Sequence, residues 1–360
     1  MLTLREQPSS CGLTTCRGCW FFFWLILHLP NISGVRVMAP AAERRMTGVI
    51  AATFTPLTPE GEINLTLIGP YIDYLIEKQN VKSIFVNGTT GESMSLSVAE
   101  RKALAEEWCL KAKGKMDLVV VHVGCMSLKD SQELAEHAAQ IGADGIAVIS
   151  PSFFKPSTAD DLKEYLRQVA IKAPTVPFYY YHVPSVTGVK VPVRDLLHDI
   201  EKLIPSFRGV KFSGSDLMDF GQCVSHSRPH WSLVYGVDEQ LISGLAMGAT
   251  GAVGSTYNYI GGHMIKLVTA FENGNQLQAR AIQFKLQELL GFAMDIGFDL
   301  GVNKQLMSDV SGLNLGPPRL PLRQRPQDHT QSILQKYQSL FQDCRSFIFS
   351  HTMMKGSLLM

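Results

Sequence analysis

Short apolar, β-branched runs recur along the chain, separated by stretches whose apolar positions fall at helical spacing. The runs are Val49–Thr55, Ser83–Asn87, Leu118–Gly124, Gly145–Ser150, Val176–Tyr181, Gly209–Phe212, Ser232–Tyr235 and Gly251–Gly254, eight in all and about 20–35 residues apart. That interval suits one strand-plus-helix unit each. LVVVHVG and GIAVIS are almost wholly apolar rather than alternating, as expected for strands of a parallel sheet covered on both faces. Helix starts fall between the runs: Ser97 with Glu100, Ser127 with Asp130, and Thr158 with Asp161. Each pair sets a side-chain acceptor where the first free N–H groups point. Leu134, Ala135, Ala138, Ala139 and Ile141 form an apolar stripe on one of these helices. IGADGIAVIS at 141–150 is echoed by MGATGAVGST at 247–256, with a helix ending at glycine before a strand in both.

Eight such units predict an α/β fold, a closed (β/α)8 TIM barrel rather than an open doubly wound sheet. No GxGxxG follows the first run, which weighs against a dinucleotide fold. Helical patterns continue to about Cys344, interrupted by GPPRLPL at 316–322, a rigid extended link. Leu334, Tyr337 and Leu340 mark the last helix. The expected division is an N-terminal extension outside the fold (1–45), the barrel (46–260), C-terminal helices packed with it (261–344) and a loose tail (345–360).

Composition narrows the class. Of 360 residues 46% are hydrophobic, too many for disorder. Lys and Arg number 33 against 32 Asp and Glu, a net charge of +1. That excludes bulk electrostatic binding to nucleic acid or an anionic membrane. Seven cysteines do not make a disulfide framework. Cys19 to Leu29 is an apolar run of eleven residues, short of the ~18–20 that cross a bilayer. Its length suits a signal-peptide core, but no A-x-A-like cleavage site follows and Pro30 breaks it. We expect Met38 to be the natural start and the chain to be cytoplasmic. The alternatives are a secretory destination, if residues 1–37 act as a signal peptide, and a membrane-associated tail. Cys16 and Cys19 form a CxxC without a second ligand pair nearby, so zinc is not expected there.

In a barrel of this class, chemistry gathers where the strands end, at the C-terminal mouth. GTTGE (Gly88–Glu92) follows the second run, and Tyr181 lies in YYYHVP after the fifth. Lys211 lies in GVKFS on the sixth, GVDE (Gly236–Glu239) follows the seventh and GSTYN (Gly254–Asn258) the eighth. Lys211 stands out, because a lysine on a buried strand is costly as a cation and a neutral amine adds to a ketone to form an imine. The plainer alternative is a lysine that snorkels to solvent or pairs with Asp238 or Glu239. Tyr181 is a candidate proton carrier, or else a packing aromatic like Tyr179 and Tyr180. Thr89 and Thr90 offer two hydroxyls and exposed N–H groups to a carboxylate, or else a helix cap. Asp238, Glu239 and Ser255 suit a polyhydroxylated ligand, the two carboxylates alternatively starting a helix. His122 and His182 read as satisfied core or rim histidines rather than metal ligands. The sequons at Asn31, Asn64 and Asn87 are discounted as glycosylation sites.

GTTGE, YYYHVP, GVKFS, GVDE and GATGAVGSTYN occur in the order and approximate spacing of the N-acetylneuraminate lyase family, whose vertebrate type the chain most resembles. The resemblance covers about Gly48 to Leu322 and extends to the wider class I, pyruvate-dependent lyases that include dihydrodipicolinate synthase. It implies that Lys211 forms the Schiff base, that Tyr181 transfers protons, and that Thr89 and Thr90 hold the pyruvate carboxylate. Ser213, Gly236, Asp238, Glu239 and Ser255 then bind the rest of the substrate. It further implies retro-aldol cleavage of a sialic acid to N-acetylmannosamine and pyruvate by a homotetramer without metal or organic cofactor. Its partners are then small molecules, with no nucleic acid or membrane.

Departures bear on the choice within the superfamily. Dihydrodipicolinate synthases resemble YNVPSRTG where this chain has YHVPSVTG, so Val186 replaces an arginine that clamps a carboxylate. Phe153 and Phe154 lie where those synthases carry a tyrosine. Ser93 and Met94 replace a smaller Gly-Leu pair, and Lys304 receives no role. Two other readings remain: an aldolase for a different 2-keto-3-deoxy acid, and a non-catalytic binding barrel, against which the completeness of the motifs weighs.

Overall fold

The computed structural model describes residues 44–342. The run at 19–29, the Cys16/Cys19 pair, Met38 and the tail from Arg345 lie outside the described residues. Eight parallel strands close into a barrel in sequence order. They are β1 (Gly48–Ala52), β2 (Ser83–Val86), β3 (Leu118–His122), β4 (Gly145–Ile149), β5 (Phe178–His182), β6 (Phe207–Phe212), β7 (Ser232–Tyr235) and β8 (Gly251–Gly254). The ring shuts where Gly48 to Ala51 of β1 pair in register with Gly251 to Gly254 of β8.

The first four strands lead into α1 (Ile68–Gln79), α2 (Val98–Ala112), α3 (Leu128–Gln140) and α4 (Ala159–Ala170). After β5 come three short helices, α5 (Pro184–Thr187), α6 (Val193–Leu197) and α7 (Ile200–Leu203). The last three strands lead into α8 (Leu217–Ser225), α9 (Leu241–Ala246) and α10 (Tyr257–Glu272). Beyond the barrel lie α11 (Gln276–Asp295), α12 (Leu300–Ser311) and α13 (Gln327–Phe341), with the proline-rich link between the last two. Residue 260 falls inside α10, which packs on β1 and α1 as the eighth outer helix. The expected caps form: Ser97 and Glu100 bond each other's backbone N–H, as do Thr158 and Asp161, and Ser127 accepts from the Asp130 N–H. The echo also holds, α3 ending just before Gly142 and α9 just before Gly248. Among the described residues no helix is long and apolar enough to cross a membrane.

Strand alternation divides the apolar residues into two cores. Tyr179, Tyr181, Phe85, Val234 and Val253 pack inside the barrel, while Phe178, Tyr180, Val210, Phe212 and Tyr235 pack outward against the helices. Lys211 lies between two outward residues and therefore faces the interior. Tyr181 of β5 is its register partner, so amine and phenol meet on the inner wall.

Several strand ends differ from the apolar pattern by a few residues. β1 stops at Ala52, after which the chain turns into the mouth and Thr55 Oγ1 donates to the Gly91 carbonyl at 2.6 Å. β5 starts at Phe178, just past Pro177, which has no N–H to give a ladder. β6 starts two residues earlier than the pattern suggests, at Phe207, because Arg208 looks like a loop residue yet stays in the sheet.

Candidate active site

A cavity of about 340 Å³ opens at the C-terminal mouth. All nine residues singled out in the sequence line it: Lys211, Tyr181, Thr89, Thr90, Ser213, Gly236, Asp238, Glu239 and Ser255. A larger groove of about 890 Å³ lies on the outside between α4, α6 and α8 and contains none of them.

Lys211 is 5% exposed, and its Nζ sits 3.6 Å from the centre of the Tyr181 ring and 4.7 Å from that of Phe85. The amine neither snorkels outward nor lacks aromatic cover. The Tyr181 hydroxyl is 3.0 Å from Thr89 Oγ1. Burial opposes ionisation of this phenol, but the Lys211 charge and hydrogen bonds from Lys211 and Thr89 outweigh it and pull its pKa below the ordinary tyrosine value. The Ser213 hydroxyl also favours the phenolate, although it is buried and no protein group completes a hydrogen bond to it.

Thr89 and Thr90 cap no regular helix. They sit in a tight turn closed by the Glu92 N–H on the Thr89 carbonyl at 3.0 Å. The next α-helix, α2, takes its cap from Ser97. The threonine hydroxyls are thus free of helix duty, and Thr90 is 8% exposed while Thr89 reaches Tyr181. Ser93 and Met94 do not line the cavity; Ser93 is buried and Met94 points out, 52% exposed. Val186 is exposed on α5, while Val183 and Ser185 beside it line the cavity.

After β7, Asp238 enters a short 3-10 turn and spends its carboxylate on Thr256. Oδ2 accepts from the Thr256 N–H at 3.0 Å and from its Oγ1 at 2.6 Å. Burial pushes the Asp238 carboxyl up to about 6, against the pull of those two bonds. Its proton is therefore held in the folded state between pH 3.8 and about 6, where the unfolded chain has released it. The stabilisation is present below 3.8 and lost as pH rises through about 6, a swing on the order of 3 kcal/mol. Asp238→Asn removes the titration, so the melting temperature of D238N relative to the parent should climb between pH 4 and 7; a constant difference would contradict the buried carboxyl.

Two glycines make room here. A Cβ on Gly254 would lie 2.1 Å from Asp238 Oδ1, and one on Gly236 would lie 2.0 Å from Ser213 Oγ. Gly254→Ala is expected to cost about 1–3 kcal/mol in thermal or urea unfolding through overpacking. It should also weaken ligand binding by displacing Asp238. Ser255 is oriented by Asn303 of α12, whose Nδ2 donates to Ser255 Oγ at 3.0 Å.

Sequence reading missed part of the lining. Leu290 and Met294 of α11, and Phe298 beyond it, form an apolar side of the cavity. Their four-residue spacing is the same signal a core-facing helix gives, so only the fold distinguishes them. Thr256 lay inside a quoted motif but gave no sign of its Asp238 contact.

A buried lysine, a phenol beside it and a threonine turn meet at the barrel mouth, the place where this class of barrel carries its chemistry. Residues 45–339 match the dihydrodipicolinate synthetase family, and the chain belongs to it. It is 59% identical over 300 residues to the N-acetylneuraminate lyase of Danio rerio, spanning 83% of this chain and 98% of that one. The N-acetylneuraminate lyase of Proteus mirabilis superposes with a TM-score of 0.78 at 34% identity, over 82% of this chain and 99% of that one. A catalytic lysine mutant of the Ruminococcus gnavus sialic acid aldolase superposes at 0.75 and 30% identity, over 82% and 98%.

Proposed function

We propose that this chain is a class I aldolase that cleaves N-acetylneuraminate to N-acetylmannosamine and pyruvate. The observation that carries the reading is the Lys211 amine, 3.6 Å from the Tyr181 ring, with the Tyr181 hydroxyl 3.0 Å from Thr89 in one cavity. The identity to the Danio rerio lyase supports the choice of substrate.

In this reading the substrate's carboxylate rests on the Thr89–Thr90 turn, which brings the adjacent ketone to Lys211. The amine adds to the keto carbon, water leaves, and an iminium forms. Tyr181 as phenolate takes the C4 hydroxyl proton. The C3–C4 bond breaks, its electron pair flows into the iminium as an enamine, and N-acetylmannosamine departs as an aldehyde. Tyr181, now a phenol, gives that proton to C3 of the enamine, and addition of water at C2 then releases pyruvate and returns Lys211 as the ammonium. The iminium keeps a positive charge where the ammonium was, so the field that lowers the Tyr181 pKa persists through the bond-breaking step. Asp238, Glu239, Ser213, Gly236 and Ser255 receive the polyhydroxylated remainder.

Borohydride reduction in the presence of pyruvate tests the covalent step. A stable adduct mass on a peptide containing Lys211 is expected, and its absence overturns the reading. A panel of 2-keto-3-deoxy acids tests the substrate: kcat/KM is expected to be highest for N-acetylneuraminate, and a higher value for another acid reassigns it.

We further propose a homotetramer in the cytoplasm. Phe153 and Phe154 stack edge to face on the β4–α4 loop while 79% and 85% exposed, which favours an apolar subunit contact. Light scattering is expected to give four times the chain mass. Cys109, Cys125 and Cys223 are free thiols, which suits a reducing compartment.

A further inference from the structure

Lys304 and Glu92 form an ion pair at 2.9 Å with both side chains wholly buried. They lie on α12 and on the threonine turn, 212 residues apart. Taking two charges out of water costs several kcal/mol, and a well-packed apolar pair often serves stability as well or better. What such a pair supplies is direction, because each of its hydrogen bonds has a preferred angle. Here the bonds converge on one place. Lys304 Nζ also donates to the Pro317 carbonyl at 3.0 Å, and Glu92 Oε2 accepts from the Arg319 N–H at 2.7 Å. α12 and the link after it are thereby sewn to Glu92.

The Glu92 backbone is the closing residue of the threonine turn. Its φ of 55° is a left-handed conformation that glutamate seldom adopts. Its N–H bonds the Thr89 carbonyl at 3.0 Å, and the next N–H, of Ser93, bonds the Gly88 carbonyl at 3.3 Å. A side chain anchored on two oxygens holds this backbone in place, and the backbone holds Thr89 and Thr90.

We propose that Glu92 and Lys304 are positioning residues whose buried pair fixes the Thr89–Thr90 turn and so sets the affinity for the keto acid. The inference rests on the reading of that turn as the carboxylate site. Neither residue lines the cavity; they act through the turn.

The test uses Glu92→Gln and the double variant E92Q/K304M, the latter leaving no orphaned buried charge. Ile333→Ala, a fully buried truncation in α13, serves as a core variant outside both α12 and the turn. For each, pyruvate is titrated in borohydride trapping on Lys211, and the melting temperature is measured in parallel. Half-saturating pyruvate is expected to rise about tenfold or more in both turn variants. Trapping at saturating pyruvate should still go to completion. I333A should lose as much thermal stability while its half-saturation stays at the parent value. A folded E92Q/K304M with parental half-saturation overturns the inference, as does an equal rise in I333A. Failure of the parent itself to trap pyruvate overturns the carboxylate and Schiff-base reading instead, and is told apart because it needs no variant.

Discussion

Replacing Lys211 by methionine is expected to abolish turnover and borohydride trapping together. Methionine is unbranched and of similar length, so it fills the space against Phe85 and Tyr181 that the lysine chain occupies. The substitution gives up a cation–π contact of about 1–2 kcal/mol. It also removes the cost of burying a polar nitrogen that is 5% exposed. These oppose each other, so K211M should fold and melt close to the parent. What disappears is the only step that makes an electron sink. Without an iminium, breaking C3–C4 would place the electron pair on a plain enolate, and no cation in the described cavity replaces the lost one. Lys211→Arg should be equally inactive, since a guanidinium does not condense with ketones under these conditions. Pyruvate release, followed by a coupled assay, decides the matter: turnover in K211M within tenfold of the parent would end the Schiff-base mechanism.

The barrel and most of the cavity were legible because both are written locally. YYYHVP carries its own alternation, so once a strand is assigned, Tyr179 and Tyr181 must share a face and Tyr180 must take the other. The same parity puts Lys211 inside, between Val210 and Phe212. Motifs at strand ends are visible because the mouth of a barrel is where consecutive strands stop. Contacts made by distant segments carry no such local mark. Nothing around Lys304 announces that its partner is Glu92, since a lysine on a helix is normally a solvated residue. Leu290, Met294 and Phe298 present the ordinary apolar stripe of a packed helix, and only the placement of α11 turns them toward the ligand. Asp238 could be read as a ligand group or a helix start. The structure makes it also an internal acceptor for Thr256, a role that depends on β7 and β8 ending side by side.

Tyr181→Phe separates catalysis from packing at the phenol beside Lys211. The ring packs edge to face on Phe85, with centres 5.6 Å apart, and underlies the Lys211 amine. Phenylalanine preserves both contacts and removes only the oxygen that meets Thr89. Were Tyr181 a packing aromatic, kcat would hardly move. As the group that accepts the C4 proton, its loss should lower kcat by about 10²–10⁴. Trapping of pyruvate on Lys211 should survive, because imine formation does not require C4 chemistry. The pH profile adds an independent readout. A base works only when deprotonated, so the parental kcat should fall as pH drops through the Tyr181 pKa. The Lys211 charge and the Thr89 bond move that limb below the range of an ordinary tyrosine, despite burial. In Y181F this limb should vanish from the residual activity. A variant that keeps the parental acid limb would assign the proton transfer to another group, and one that loses trapping as well would place the phenol in imine formation rather than in bond cleavage.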